Sequence, residues 1–187
     1  MPASINPAPI HVIGTDAAGL DHLAVPLQEL VLSAQGLAAP RRLLSQLPSW
    51  WQQQQTDQPL PELIASDQPD ALITWLHQLS GTAVVLASGD PLWFGIGRRL
   101  LEACPADQLH FHPAPSSLQL AFARLGRPWQ DAAWISLHGR DPAPLAQKLQ
   151  QRPAALAVLT DPSRGGAEEV RTILRASGLE AAYAVWL

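Results

Sequence analysis

Ser88-Gly89-Asp90-Pro91 closes the apolar, β-branched run at residues 83–87 and opens into a helical stretch. A glycine beside an acid and a proline, at the carboxyl end of a buried strand, makes a tight turn that bares backbone N–H groups. In open α/β sheets, small ligands settle in the crevice just beyond such strand ends. The chemistry that suits this loop is the clasping of a cofactor. Other constellations carry less. Ser88, His138 and Asp161 can be drawn as a hydrolase triad, but no Gly-x-Ser-x-Gly elbow presents the serine. The stretch IGTDAAG at residues 13–19 lacks the G-x-G-x-x-G fingerprint of dinucleotide binding. His110 and His112 lie two apart on a short strand, which puts both rings on one face as a metal pair requires. No third ligand is evident near them in the sequence, so a solvated strand face is the expectation and no metal site is assigned. Trp50 and Trp51 have flat faces that can cover a planar ligand, against the commoner outcome of packing on their own domain.

The elements that must position these residues alternate strand with helix. Residues 10–14 read as a short buried strand, followed by a turn and then by Leu20, Leu23, Leu27, Leu30 and Val31 at helical spacing. Residues 49–61, SWWQQQQTDQPLP, fit neither period and are expected to form a surface loop or lid. Helix is expected at 67–79, strand at 83–87, helix at 94–103, strand at 109–111, and helix at 116–125 with Ser116 capping its own first turn. Strand 134–137 then runs into His138-Gly139-Arg140. Helix 144–151, strand 155–159, helix 167–177 stopped by Gly178, and a final strand over 182–187 complete the pattern. Such alternation predicts an α/β fold with a mainly parallel sheet. Pro113-Ala114-Pro115 stiffens one connection and suggests a change of lobe there, dividing the chain into 1–113 and 114–187.

Composition narrows the function classes. At 187 residues and 47% hydrophobic content the chain can bury a substantial core. A net charge of −4 without any Lys/Arg run argues against nucleic acid as a partner. Cys104 is the single cysteine, which excludes an internal disulfide and favours a reducing, cytoplasmic setting, with a buried place on a helix as its expected role. The opening MPASINPAPI lacks the basic and apolar regions of a leader, and no apolar run reaches the roughly 18 residues that span a bilayer.

Three segments, IGTDAAGL at 13–20, ASGDPLWFGIGRRLL at 87–101 and PAPSSLQLAFARLGRPWQDAAWISLHGR at 113–140, together resemble the tetrapyrrole methylases. Within them, the likeness is to the precorrin-6Y/precorrin-7 C5(,15)-methyltransferase branch of cobalamin biosynthesis, in its N-terminal methylase domain. The resemblance implies a two-lobed tetrapyrrole methylase fold with S-adenosyl-L-methionine held in a trough between lobes. It implies methylation at C5 of a corrin precursor, and either a homodimer or a fusion to or partnership with a C15-methyltransferase/decarboxylase domain. Carried over position by position, the cofactor contacts fall on Ser88, Gly89, Asp90 and Trp93, on Ser116 and Ser117, and on Leu137 and His138. Substrate contacts fall on Gly14, Asp16 and Arg140. Family members extend further in the C-terminal lobe, so an incomplete C-terminal lobe is expected here. The first family loop usually reads Gly-x-Gly, whereas Asp16 holds the second glycine position and makes that loop more negative.

The implied reaction needs no protein nucleophile, because the sulfonium methyl is already activated and a ring carbon attacks it, so no catalytic residue is assigned. Positioning alone can lower such a barrier by roughly 7–11 kcal/mol. Leu86, Leu92 and Leu137 are expected to wall the cofactor's apolar parts. A substrate rich in acetate and propionate groups calls for cations, with Arg98, Arg99, Arg124, Arg127 and above all Arg140 as candidates. Two other readings stand beside this one: a truncated, non-catalytic domain that binds cofactor or partner, and a methylase for another tetrapyrrole position.

Overall fold

The computed structural model describes residues 8–187, so the leader expectation for MPASINPAPI falls largely outside the described residues. The chain divides into two compact units, with the boundary between Leu120 and Ala121.

The first unit is built on five parallel strands: β1 (Ile10–Thr15), β2 (Gly36–Ala39), β3 (Glu62–Ala65), β4 (Ala83–Ser88) and β5 (Leu109–His112), in the order β3-β2-β4-β1-β5. Successive side chains alternate between faces, so each strand feeds two cores. Ile13, Leu37, Val84 and Leu86 meet helices α1 (Val25–Ser33), α2 (Arg41–Leu44) and α3 (Leu47–Gln53) on one face. Ile10, Val12, Val85 and Leu109 meet α4 (Pro69–Gln78) and α5 (Gly97–Ala103) on the other, where Cys104 is also buried at the end of α5. The chain carries 18 prolines. Three of these helices tolerate one because it stands in the first turn, where its missing N–H has no intrahelical partner to lose.

This strand order fixes where a ligand can sit. β1 and β4 are neighbours, yet the chain leaves β1 for β2 and leaves β4 for β5, in opposite directions along the sheet. Right-handed crossovers carry the two connections to opposite faces, as the two helix layers show, which makes the carboxyl ends of β1 and β4 the switch point at which open α/β sheets bind ligands.

Several expectations are corrected. The glutamine-rich segment 49–61 is no lid at its start, since α3 runs from Leu47 to Gln53. Trp50 and Trp51 are 3% and 7% exposed inside the first core, so neither ring is available to cover a ligand. The stretch reads as polar because only the tryptophans and Leu47 face inward while the glutamines face water. β2 and β3 lie where no strand was expected. α5 begins at Gly97 rather than at residue 94, because Phe94 adopts a left-handed backbone (φ 53°) that interrupts helical geometry.

Helix α6 (Ser117–Leu125) crosses the unit boundary. The second unit pairs β6 (Ala133–Ser136) with β7 (Leu156–Leu159) in parallel, joined through α7 (Ala143–Gln150) and followed by α8 (Ala167–Ala176). Leu137, Leu145, Leu149, Val170, Leu174 and Leu179 form its core. The expected strand over 182–187 does not form. A single 3-10 turn spans Glu180–Ala182, no described strand pairs with residues 183–187, and Trp186 and Leu187 are 71% and 90% exposed. Among the described residues no helix is long and apolar enough to cross a membrane.

Candidate active site

Three backbone segments of the first unit converge at the carboxyl ends of β1 and β4. Gly14, near the end of β1, packs so closely that a side chain there would strike the carbonyl of Gly89 and come within 2.6 Å of the Ala114 nitrogen. Gly89 is left-handed (φ 69°), and a Cβ on it would lie 3.3 Å from the Ser116 Cα. Gly89 N–H donates to the Thr15 carbonyl at 2.7 Å, and the buried Thr15 hydroxyl donates to the Ala87 carbonyl at 3.1 Å, which locks the end of β1 to the loop after β4. Asp90 accepts the Leu92 N–H at 2.9 Å, an Asx turn that sets the path of the loop and leaves the second carboxylate oxygen unpaired among the described residues. Trp93 is half-buried, with its ring edge-on to Phe94 at 5.0 Å.

The start of α6 is held by a reciprocal cap. Ser116 Oγ accepts the Gln119 N–H at 3.3 Å while Gln119 Oε1 accepts both the Ser116 N–H at 2.8 Å and its hydroxyl at 3.0 Å. The cap expected of Ser116 is therefore present. It occupies both polar groups of a residue only 5% exposed, while Ser117 is exposed. Ser88, Gly89, Asp90, Trp93, Ser116, Ser117 and Gly14 thus belong to one unit, and the two glycines are bound to the Ala114–Ser116 turn by close approach.

The family model described as Tetrapyrrole (Corrin/Porphyrin) Methylases matches residues 9–187. The chain belongs to this family. Among curated relatives, the Sinorhizobium protein named precorrin-6Y C(5,15)-methyltransferase [decarboxylating] is 40% identical over 95 residues, 51% of this chain but 22% of that protein. The chain therefore spans a small part of that relative's length. The Salmonella typhimurium protein named cobalt-precorrin-7 C(5)-methyltransferase is 33% identical over 169 residues, 89% of this chain and 78% of the relative. Among solved structures, the methyltransferase CobJ superposes with a TM-score of 0.70 at 18% identity, covering 91% of this chain and 76% of that one. The precorrin-6Y methylase CbiE from Archaeoglobus fulgidus gives 0.59 at 23% identity, covering 82% and 73%. These two likenesses establish the fold.

In this tetrapyrrole methylase Asp16 does not project a free charge. Its Oδ1 accepts the Ala18 N–H at 2.8 Å and its Oδ2 lies 2.9 Å from His22 Nδ1, a contact that chiefly accounts for its carboxyl being held below the usual range. Leu86 and Leu137 are 1% and 0% exposed in their cores, so neither side chain walls a ligand and Leu137 has only its backbone to offer. Leu92 is 52% exposed.

In the second unit the turn Leu137–Arg140 is braced from beneath. Buried Asp161 accepts the Gly139 N–H at 3.0 Å, and the Ser163 hydroxyl and N–H at 2.6 and 3.0 Å, which brings its pKa down to about 2 with the Ser163 hydroxyl as the main cause. Asp161 is committed to that turn and serves no triad. His138 and Arg140 are exposed, and the Arg140 carbonyl accepts Arg164 Nη1 at 2.7 Å. Of the other arginines expected to meet substrate, Arg98 pairs with Glu102 at 3.1 Å and Arg99 with Asp70 at 2.8 Å. Sequence reasoning missed two features. His11, register partner of His110, stacks on it at 5.1 Å and brings Nδ1 within 3.1 Å of His112 Nε2. Among the described residues no group of three metal-ligating side chains is placed to hold an ion. Arg42 donates from Nη2 to Ser88 Oγ at 3.1 Å, a contact hidden by a separation of 46 residues.

Proposed function

We propose that this chain is an S-adenosyl-L-methionine-dependent methyltransferase acting on C5 of a corrin precursor of the precorrin-7 type. The observation that carries the reading is the cradle at the carboxyl ends of β1 and β4, where a Cβ on Gly14 would strike the Gly89 carbonyl and the Ala114 nitrogen and one on the left-handed Gly89 would crowd the Ser116 Cα. The Gly89 and Ser116 N–H groups are spent on Thr15 and Gln119, so this junction fixes where the loop stands, and the second Asp90 carboxylate oxygen and the exposed Ser117 are the polar groups it offers a ligand. Gly89, Asp90 and the first turn of α6 with Ser117 would hold the cofactor and Trp93 would lie against it; His138 and the Leu137 backbone are further proposed cofactor contacts. When bound, S-adenosyl-L-methionine supplies an activated methyl group. The protein's own task is to orient the acceptor carbon and exclude water, which is why no acid, base or nucleophile needs to be assigned. Gly14, Asp16 and Arg140 are proposed substrate contacts. The names of the Sinorhizobium and Salmonella relatives support C5 as the position. The Sinorhizobium name, which includes C15 methylation and decarboxylation, supports partnership with such a domain as an alternative to a homodimer. A cytoplasmic location accords with this chemistry.

Calorimetric titration with S-adenosylhomocysteine tests the first half of the reading and should give one site per chain. Incubation with cobalt-precorrin-7 and labelled cofactor tests the second, with label expected at C5. Absence of S-adenosylhomocysteine binding would overturn the assignment, and label at another ring carbon would move it to a different methylase of the family.

A further inference from the structure

We propose that Arg42 is a recognition site for a carboxylate of the substrate, set on the flank of the Ser88 loop away from the glycine cradle; the inference rests on the methyltransferase reading above. Arg42 lies in the first turn of α2, which starts directly after β2, so its side chain stands at the carboxyl edge of the sheet. The first unit contains four arginines. Arg41 faces Asp67, Arg98 faces Glu102, and Arg99 faces both Asp70 and Glu102. Arg42 differs from these. The one hydrogen bond of its side chain among the described residues goes to the neutral hydroxyl of Ser88, and no carboxylate there neutralises it.

A guanidinium offers five N–H donors in a rigid fork that matches a carboxylate in two parallel bonds. With Nη2 tethered to Ser88, the fork is partly fixed before any ligand arrives, which lowers the entropy lost when one binds. An uncompensated cation at a strand end in a chain of net charge −4 favours an anion at that point.

Two carboxylates are candidates: a peripheral acid group of the corrin precursor and the amino-acid end of the methyl donor. The strand order decides between them. β2 flanks β4 on one side, whereas the cradle is made by β1 and the 114–116 turn on the other. Arg42 therefore reaches the loop from across β4, outside the cradle proposed for the donor, and would meet an acid group at the far rim of a macrocycle whose near rim lies by Gly14 and Asp16.

The test uses the full chain with Arg42→Gln and Arg42→Lys. For Arg42→Gln, kcat/KM toward cobalt-precorrin-7 should fall at least about tenfold through a raised KM, the size expected when one charged hydrogen-bonded contact is lost. S-adenosylhomocysteine affinity should stay within about twofold. Arg42→Lys should recover only part of the loss, because a point charge cannot supply the fork. Cobalt-precorrin-7 with its acid side chains esterified should be handled equally by wild type and Arg42→Gln. An unchanged KM in Arg42→Gln, or a weakened S-adenosylhomocysteine affinity, overturns the inference while leaving the methyltransferase reading intact. A wild-type chain that binds S-adenosylhomocysteine but does not methylate the precursor overturns both.

Discussion

Gly14 matters because of what it leaves out. Its missing Cβ lets the end of β1 approach the Gly89 carbonyl and the Ala114 nitrogen. Gly14→Ala forces a methyl into that contact and should destabilise the chain by about 1–3 kcal/mol through overpacking. It should also abolish S-adenosylhomocysteine binding as read by calorimetry; an alanine variant that binds normally would show the cradle is not the cofactor site. Asp16, two residues on, was legible as an acid in a loop that usually carries glycine, but its hydrogen bonds with His22 and the Ala18 N–H depend on a local turn that residue types alone do not specify. Ser116 was legible as a cap because the signal is local: a serine followed three residues later by a glutamine. Arg42 was not, because its partner is distant in sequence and β2 was itself missed.

Among the elements, strands β1, β4, β5, β6 and β7 announced themselves as apolar runs bounded by turn residues, and α1 and α4 to α8 by spacing, whereas α2 was not expected. β2, GLAA, offers no β-branched residue and only one bulky one, so nothing distinguishes it from a turn until it is seen pairing with β3 and β4. α3 was obscured by its glutamines. Its inward tryptophans carry the energetic weight, and Trp50→Ala should cost about 3–5 kcal/mol in urea unfolding, the range for emptying a buried aromatic site. A cost below about 1 kcal/mol would place Trp50 outside the core.

Strand β5 supplies a pH dependence at the sheet edge. Burial first, and then the neighbouring imidazoles, hold His11 and His112 below the ordinary histidine value of 6.5. The folded chain therefore resists protons that the unfolded chain accepts. Stability from this edge is intact above about pH 6.5 and is lost as pH falls through the depressed folded values. Thermal midpoints measured from about pH 7.5 to about pH 5 should fall, and should fall less in a His11→Gln/His112→Gln double variant. Equal slopes in the two proteins would remove the histidines as the cause.

For the whole molecule, the two cores of the first unit and the core of the second share no residue. Within the first unit, however, β1, β2 and β4 feed both cores, so Leu43→Ala and Leu72→Ala should lower the midpoint of the same calorimetric transition, and effects on different transitions would contradict this. The α/β class was legible because alternation is a property of consecutive segments, whereas the order β3-β2-β4-β1-β5 was not, because it is set by pairings between distant ones.

That order also bears on synthesis. β1 leaves the ribosome before the other strands of its sheet, but its inner partner is β4, with Ile10 beside Ala83 and Thr15 beside Ser88. During translation, Val12 and Ile13 must wait through two whole β–α passages before the strand that covers them emerges, a window in which a nascent chain is open to aggregation and to capture by chaperones. Arrested chains ending before the Ser88 turn has cleared the exit tunnel would hold β1 with no groove beside it, and those ending well beyond it would have one.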